Sequence, residues 1–444
     1  MNETIATRSR RWVSYGLAGT LVLVLARPLV PGLPVMRGPS ARAATKQAGQ
    51  MLFVHEWEQD DALARGDGLG PVFNARSCAA CHFQGGVGGS SGNDRNVHTF
   101  VALPTRSRPK LSSGLVHAAA IEPSLQETGE TLKQLFPIVP GGQRIINGCT
   151  IQVSDFDPVH KESINTPALF GAGWIDRMSG RSIQFEWKRR MAASAVKEFQ
   201  LQFDQIPAGR PRVLPNGRVG KFGWKAQFAT LEEFVAAACA NELGLGNPLM
   251  EQAKPLGQSG YPRVKSDMTR RQFGDLVAFV DTLPRPTHIL PADPTERTRA
   301  KHGEELFSSI GCTLCHVPNM GGVEGVYSDF LLHRLDDPEN RSRYFIDPQE
   351  EMPLPDDQPL LEEWKTSPLW GVADSAPYFH DGGSRTLEDA ILRHDGSAKR
   401  VTDAYRRLSS SDQRAVIVFL QTLKAPPNAP AQGNPDFSNH VVQR

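Results

Sequence analysis

Apolar positions recur at helical spacing in two stretches that end in nearly the same letters. In the first, Phe273, Leu276, Val277 and Val280 fall on one face. Thr269 stands where an N-cap belongs, and Pro284 stops the run. In the second, Val416, Phe419, Leu420 and Leu423 repeat the pattern. Ser409 or Ser410 caps it, and the helix must end before Pro426. The endings, Phe279-Val280-Asp281-Thr282-Leu283-Pro284 and Phe419-Leu420-Gln421-Thr422-Leu423, form a partial internal repeat. A third helix is predicted after Thr386, which makes a capping box with Asp389; His394 sits in its last turn and Gly396 stops it. A short amphipathic helix covers Gly303 to Phe307 and runs into Gly311-Cys312. The corresponding approach to Cys78, from Gly68 to Asn74, reads as a turn.

The N-terminal pattern is different. Arg8, Arg10 and Arg11 precede an apolar stretch from Trp12 to Ala26, and Ala41-Arg42-Ala43 offers a cleavage site. The apolar run is shorter than the ~20 residues of a spanning helix. An uncleaved signal anchor, lengthened by Leu29 to Met36, is the alternative; Pro28, Pro31 and Pro34 weigh against it. The expectation is a signal peptide over residues 1–43, and hence a periplasmic protein. The remainder divides into an N-terminal unit (44–286), a Pro-rich linker (287–295), a C-terminal unit (296–428) and a flexible tail (429–444).

Composition narrows the function. Lys plus Arg number 49 and Asp plus Glu 48, so there is no basic field for a nucleic acid. No run of like charge suggests membrane binding, which leaves a retained signal anchor as the one route to a membrane. The 40 glycines and 34 prolines favour a loop-rich chain that wraps something.

Four of the six cysteines lie in two C-x-x-C-H motifs, Cys78/Cys81/His82 and Cys312/Cys315/His316. Two thiols at this spacing reach both vinyl groups of a haem, and the adjacent imidazole takes the iron. A zinc site would need its four ligands at short spacings, whereas these pairs lie 234 positions apart (78 to 312). A dithiol site would need a βαβ setting and no obligatory histidine. The sequence therefore predicts two covalently bound haem c groups. Cys149 and Cys239 are left over; in an oxidising compartment they pair, or they remain as buried thiols, and pairing is slightly favoured. From Cys78 to Phe279 is 201 positions and from Cys312 to Phe419 is 107. The predicted fold is mainly α: two cytochrome c-like haem domains, the N-terminal one enlarged by a loop-rich insertion. On pattern alone, His394 is equally a histidine favoured by a helix C-terminus and a sixth iron ligand.

Several runs resemble the bacterial di-haem oxidoreductases, sometimes labelled thiol oxidoreductases and related to di-haem cytochrome c peroxidases and MauG. These are Gly70 to His82, Asn165 to Gly171, Gly220 to Ala226, Tyr327 to His333 and Pro368 to His394. The resemblance implies three things. His394 matches the distal ligand of the C-terminal haem, where relatives usually carry Met or Tyr. Asn165, Ser375 and Pro377, within and beside Ser375-Ala376-Pro377, match positions that hold Ca²⁺ between the haem units of the peroxidases. The N-terminal haem is the substrate-facing one. The distal glutamate of the peroxidases has no clear counterpart; Glu186 and Glu198 lie in the right part of the chain. His160 is a second ligand to the N-terminal haem or a surface residue. Trp174 is a relay between haems or a core aromatic. Tyr378, Phe379 and His380 are expected against the C-terminal haem, and Arg385 beside a propionate or in solvent.

The function expected is an oxidoreductase resembling the peroxidases. A small redox protein would be its electron partner, the C-terminal haem its electron store, and the N-terminal haem the place where peroxide or another small oxidant is reduced. A di-haem electron carrier without its own substrate and a MauG-like maturation enzyme are the rival readings. A thiol-oxidising activity would follow only from the family label.

Overall fold

The computed structural model describes residues 39–146, 148–195, 209–335 and 362–431. The signal region before residue 39, Glu198 and the tail beyond residue 431 lie outside them. Among the described residues no helix is long and apolar enough to cross a membrane.

The helices, in chain order, begin with α1 Pro39–Val54, α2 Gly129–Leu135, α3 Ala172–Arg177, α4 Gly180–Ala195 and α5 Leu231–Glu242. They continue with α6 Arg270–Asp281, α7 Pro294–Ser309, α8 Leu387–Arg393, α9 Lys399–Arg406 and α10 Ser410–Leu420. The three helices read from the sequence form with their predicted caps. Thr269 caps α6 in a box with Gln272, Thr386 caps α8 in a box with Asp389, and Ser409 caps α10. Two helices depart from expectation. α7 starts at Pro294, inside the stretch read as linker, because Asp293 caps it and proline at the first helical position needs no hydrogen-bond partner. α1 lies further upstream, where no helix is expected from the sequence, while Gly68 to Asn74, directly before the first motif, is turn and short strand.

These two helices play the same part. α1 crosses α6 at Gly49, where a Cβ would lie 2.0 Å from the Asp275 carbonyl oxygen. α7 crosses α10 at Gly303, where a Cβ would lie 1.9 Å from the Ala415 carbonyl oxygen. Phe53 meets Phe279 at 5.2 Å, and Phe307 meets Phe419 at 5.3 Å. Each crossing lets two backbones touch and packs a tilted pair of aromatic rings beneath them.

The strands are short. β1 Val72–Phe73 pairs with β4 Ala119–Ala120, and β5 Gly142–Ile146 with β6 Cys149–Val153. Between them in sequence, β2 Val97–Ala102 lies antiparallel to both β3 Ser112–Val116 and β7 Val159–Ile164. Alternation in β2 turns Phe100 and Ala102 inward, onto Leu132 of α2. The stretch expected to be loop-rich thus contains a three-stranded sheet. β8 Thr287–His288 pairs with β11 Leu423–Lys424, and β9 Leu332–Arg334 with β10 Glu363–Lys365. The molecule is helix-rich with small antiparallel sheets.

One core surrounds the first motif and takes in Phe53, Trp57, Leu231, Phe273 and Phe279. It also contains Met320, Val323, Phe330, Leu331 and Trp370 from beyond the linker. A second core, with Phe307, Leu387, Tyr405, Val416 and Phe419, packs around Cys312.

Candidate functional site

Both motifs fold into the same single turn. Ser77 caps the first, and the His82 amide donates to the Cys78 carbonyl at 3.0 Å. Gly311, at φ 101°, introduces the second, and the His316 amide donates to the Cys312 carbonyl at 2.9 Å. The four thiols are free of disulfides and half-buried. Burial pushes Cys78, Cys81 and Cys312 up to about 12, so these three are protonated at neutral pH.

The histidines are held in one tautomer. His82 Nδ1 lies 3.0 Å from the Gly89 carbonyl and His316 Nδ1 lies 3.0 Å from the Tyr327 carbonyl. Donation from Nδ1 leaves Nε2 with its lone pair, the arrangement a metal ligand requires. Burial pulls both imidazoles down to about 4, so both are neutral. Each also stands 6.2 Å from the phenylalanine of its crossing helix, Phe53 or Phe307.

The second motif faces a partner. His316 and His394 rings lie 6.4 Å apart and 73° from coplanar. Two imidazoles on opposite faces of one metal stand roughly 6 Å apart, from two metal–nitrogen bonds of ~2 Å and ~1 Å from each nitrogen to its ring centre. His394 follows the last residue of α8, and its Nδ1 lies 2.7 Å from the Ala390 carbonyl, so its Nε2 is likewise the free nitrogen. Phe379 supports it at 5.0 Å, and the Arg393 guanidinium covers Phe379 at 4.5 Å. Arg393 in turn makes a two-pronged pair with Asp381, both bonds 2.7 Å.

A cavity of about 320 Å³ opens on His316 and His394. Phe307, Leu387, Ile391, Tyr378 and Phe379 wall it, and Cys312 and Cys315 stand at its edge. Two thiols at C-x-x-C spacing, a neutral imidazole with its outer nitrogen held, a facing imidazole and apolar walls are the donor set that a covalently bound haem needs. Haem fits these residues on their own chemistry.

Other predicted residues fall elsewhere. Asn165 is buried on a seam between the loop after the first motif and the loop before α8. Its Nδ2 lies 2.9 Å from Asn96 Oδ1 and 3.3 Å from the Ser91 carbonyl. Ser375 Oγ donates to the Val372 carbonyl, and the Ala376 carbonyl ahead of Pro377 accepts from Gln84 Nε2 at 2.7 Å. Trp174 is 43 % exposed and flanked by Arg177 and Arg285. A buried indole near the start of α3 is Trp370, whose ring would meet a Cβ on Gly171 at 2.8 Å. His160 pairs with Glu162 at 3.7 Å on β7. Arg385 is exposed. Cys149 is exposed on β6 and Cys239 is in the first core; the two are not joined, since one faces solvent and the other packs among core side chains.

Glu186 forms part of a charge chain that the sequence did not reveal. It holds Arg189 and Arg190, and Arg190 Nη1 reaches Asp329 at 2.8 Å. Asp329 also takes His333 Nε2 at 2.8 Å, and His333 Nδ1 lies 3.9 Å from Cys315 Sγ. Burial disfavours a charged His333, yet the neighbouring sulfur and the Asp329 carboxylate carry it up to about 10. At the first motif the buried acid is Glu242, the last residue of α5. It lies 2.6 Å from Asn74 Nδ2, and burial raises its pKa.

No curated protein matches the chain. Among solved structures, a hydrazine synthase from Kuenenia stuttgartiensis is similar at 15 % identity and a TM-score of 0.34, covering 59 % of this chain and 73 % of that one. A MauG-like protein associated with microbial copper homeostasis is similar at 16 % identity and a TM-score of 0.29, covering 56 % and 90 %. The family model described as "Di-haem oxidoreductase, putative peroxidase" matches residues 193–423, beginning after the first motif and containing the second. That match spans just over half of the 444 residues, and the chain belongs to the di-haem oxidoreductase family.

Proposed function

We propose that this protein is an exported c-type oxidoreductase that reduces a small oxidant such as peroxide with electrons from a small redox protein. The observation that carries the reading is the unequal provision at the two motifs. Among the described residues, a facing pair of imidazoles is seen only at the second, His316 with His394.

When bound, haem supplies one-electron iron chemistry at each motif, and two such centres suit a reaction that needs two electrons. Reduction of peroxide takes two electrons and two protons and yields two waters. The protein's own part is positional. Cys312 and Cys315 would hold the second haem covalently, while the Tyr327 and Ala390 carbonyls orient His316 and His394, which would both serve as its ligands. A site with two protein ligands would hold electrons and not take substrate. Among the described residues His82 is the histidine that serves the first motif, oriented by Gly89, and the sheet β3-β2-β7 delivers the Asn165 to Gly171 segment beside it. Export rests on the Arg8 to Ala26 pattern and on the requirement that haem c be attached outside the cytoplasm.

Cys312→Ala with Cys315→Ala should halve covalent haem per chain by pyridine haemochrome. Unchanged haem would contradict attachment there. In the intact holoprotein, peroxide should oxidise a reduced small cytochrome. An absence of turnover with every donor tried, alongside two six-coordinate haems, would leave an electron carrier instead.

A further inference from the structure

The helix that carries His394 has a counterpart in the first half. Thr386-Leu387-Glu388-Asp389 opens α8, and Thr230-Leu231-Glu232-Glu233 opens α5. Both threonines cap their helix in a reciprocal box with the acid three residues on. Their backbones agree, at φ −122° and ψ 160° for Thr386 and φ −129° and ψ 157° for Thr230. Leu387 and Leu231, the first helical residues, are both buried. α8 packs against α10 and α5 packs against α6, the two closing helices that the glycine crossings already relate.

His394 is the eighth residue after its capping threonine, and counting eight from Thr230 reaches Ala238. Ala238 lies in the C-terminal half of α5, beside residues that reach the first motif. Its neighbour Cys239 shares a core with Cys78 and Cys81, and Glu242, one turn on, accepts the Asn74 amide through its carbonyl at 2.7 Å. Ala238 is partly open, whereas Ala237 and Cys239 on either side are buried.

The two helices also differ in a way that bears on ligation. α8 ends at Arg393, and His394 leaves the helix with ψ 124°. α5 runs on to Glu242, so residue 238 stays helical. Where α8 has Ala390, whose carbonyl steers His394, α5 has Phe234. That ring stacks on Phe222 at 5.7 Å and meets Phe228 at 5.8 Å.

We propose that residue 238 is the sixth-ligand position of the first haem site, left unfilled by alanine beside an aromatic wall of Phe222, Phe228 and Phe234. This rests on the reading that both motifs carry haem. It goes beyond that reading by naming the residue that decides which iron accepts a small exogenous ligand. A side chain with no lone pair at 238 leaves the first iron a free face, whereas His394 closes the second.

The test uses ferric full-length holoprotein, with EPR and optical spectra recorded with and without cyanide. Wild type should show one high-spin haem that binds cyanide and one low-spin haem that does not. Ala238→His should convert the high-spin signal to low-spin and abolish cyanide binding, with haem content unchanged. Ala238→Leu should keep the high-spin signal, and His394→Ala should open the second haem. Should Ala238→His fail to fold, Ala238→Met reads the same position with a thioether ligand. A folded Ala238→His or Ala238→Met protein that keeps two haems, the high-spin signal and full cyanide binding would overturn the assignment of residue 238 alone. A wild type with both haems low-spin and indifferent to cyanide would overturn the unequal-site reading itself.

Discussion

At Asp329 three charges meet with no water to separate them. Arg190 and His333 both bond its Oδ2 at 2.8 Å, and all three side chains are buried. Burial opposes a charged carboxyl, but His333 and Arg190 hold Asp329 below its usual value. A carboxyl with a lowered folded-state pKa stabilises the fold fully above its unfolded pKa, and the gain is lost as pH falls through the folded value. Asp329→Asn should therefore cost about 3 kcal/mol at neutral pH, because it leaves the buried His333 without its carboxylate and Arg190 with Glu186 alone. The gap to wild type should narrow once pH falls below the ordinary carboxylate range near ~4. Urea titrations of both proteins at neutral and acid pH check this; a gap that does not change with pH would point to packing, not charge. The chain was invisible in sequence because Arg190 and Asp329 lie 139 positions apart. Cys312, Cys315 and His316 could be read together because one short motif holds all three, whereas His394, 78 positions beyond His316, was pointed to only by the family resemblance. Trp174 misled for the opposite reason: an aromatic in a helical run looks like core, and only the fold shows that it faces solvent.

Among elements, the crossings at Gly49 and Gly303 set where each aromatic pair and each motif can sit. An alanine in a helix ordinarily gains stability over glycine. Here its Cβ would meet a backbone oxygen about 2 Å away. Gly49→Ala and Gly303→Ala should each lose roughly 1–3 kcal/mol, read from denaturation midpoints of the holoprotein. A rise in stability at either position would mean that the helices do not touch there. α6, α8 and α10 were readable because their caps and apolar faces agree. α7 was read short because Asp293-Pro294 signals a linker as readily as a helix start. The sheet β3-β2-β7 was missed because its strands are short, with alternation too brief to stand out from turns.

Over the whole molecule, the two halves share a core. Met320, Val323, Phe330, Leu331 and Trp370 pack with Phe53 and Phe279 around the first motif. The linker is thus a boundary in sequence and not in packing. A fragment of residues 44–286 should lack a cooperative unfolding transition, because it would expose those apolar contacts. A sharp two-state melt by circular dichroism would contradict this. The internal repeat pointed to a two-unit plan but gave no sign that residues on both sides of the linker share one core. Its deeper level, Thr230 against Thr386 and Ala238 against His394, emerged once α5 and α8 were seen on equivalent partners.

The unequal provision at the two motifs is tested most directly by EPR of the resting ferric holoprotein. With two haems per chain by pyridine haemochrome, one low-spin bis-histidine signal and one high-spin signal that alone responds to peroxide are expected. Two low-spin signals that peroxide leaves unmoved, in both the oxidised and the half-reduced protein, would contradict it.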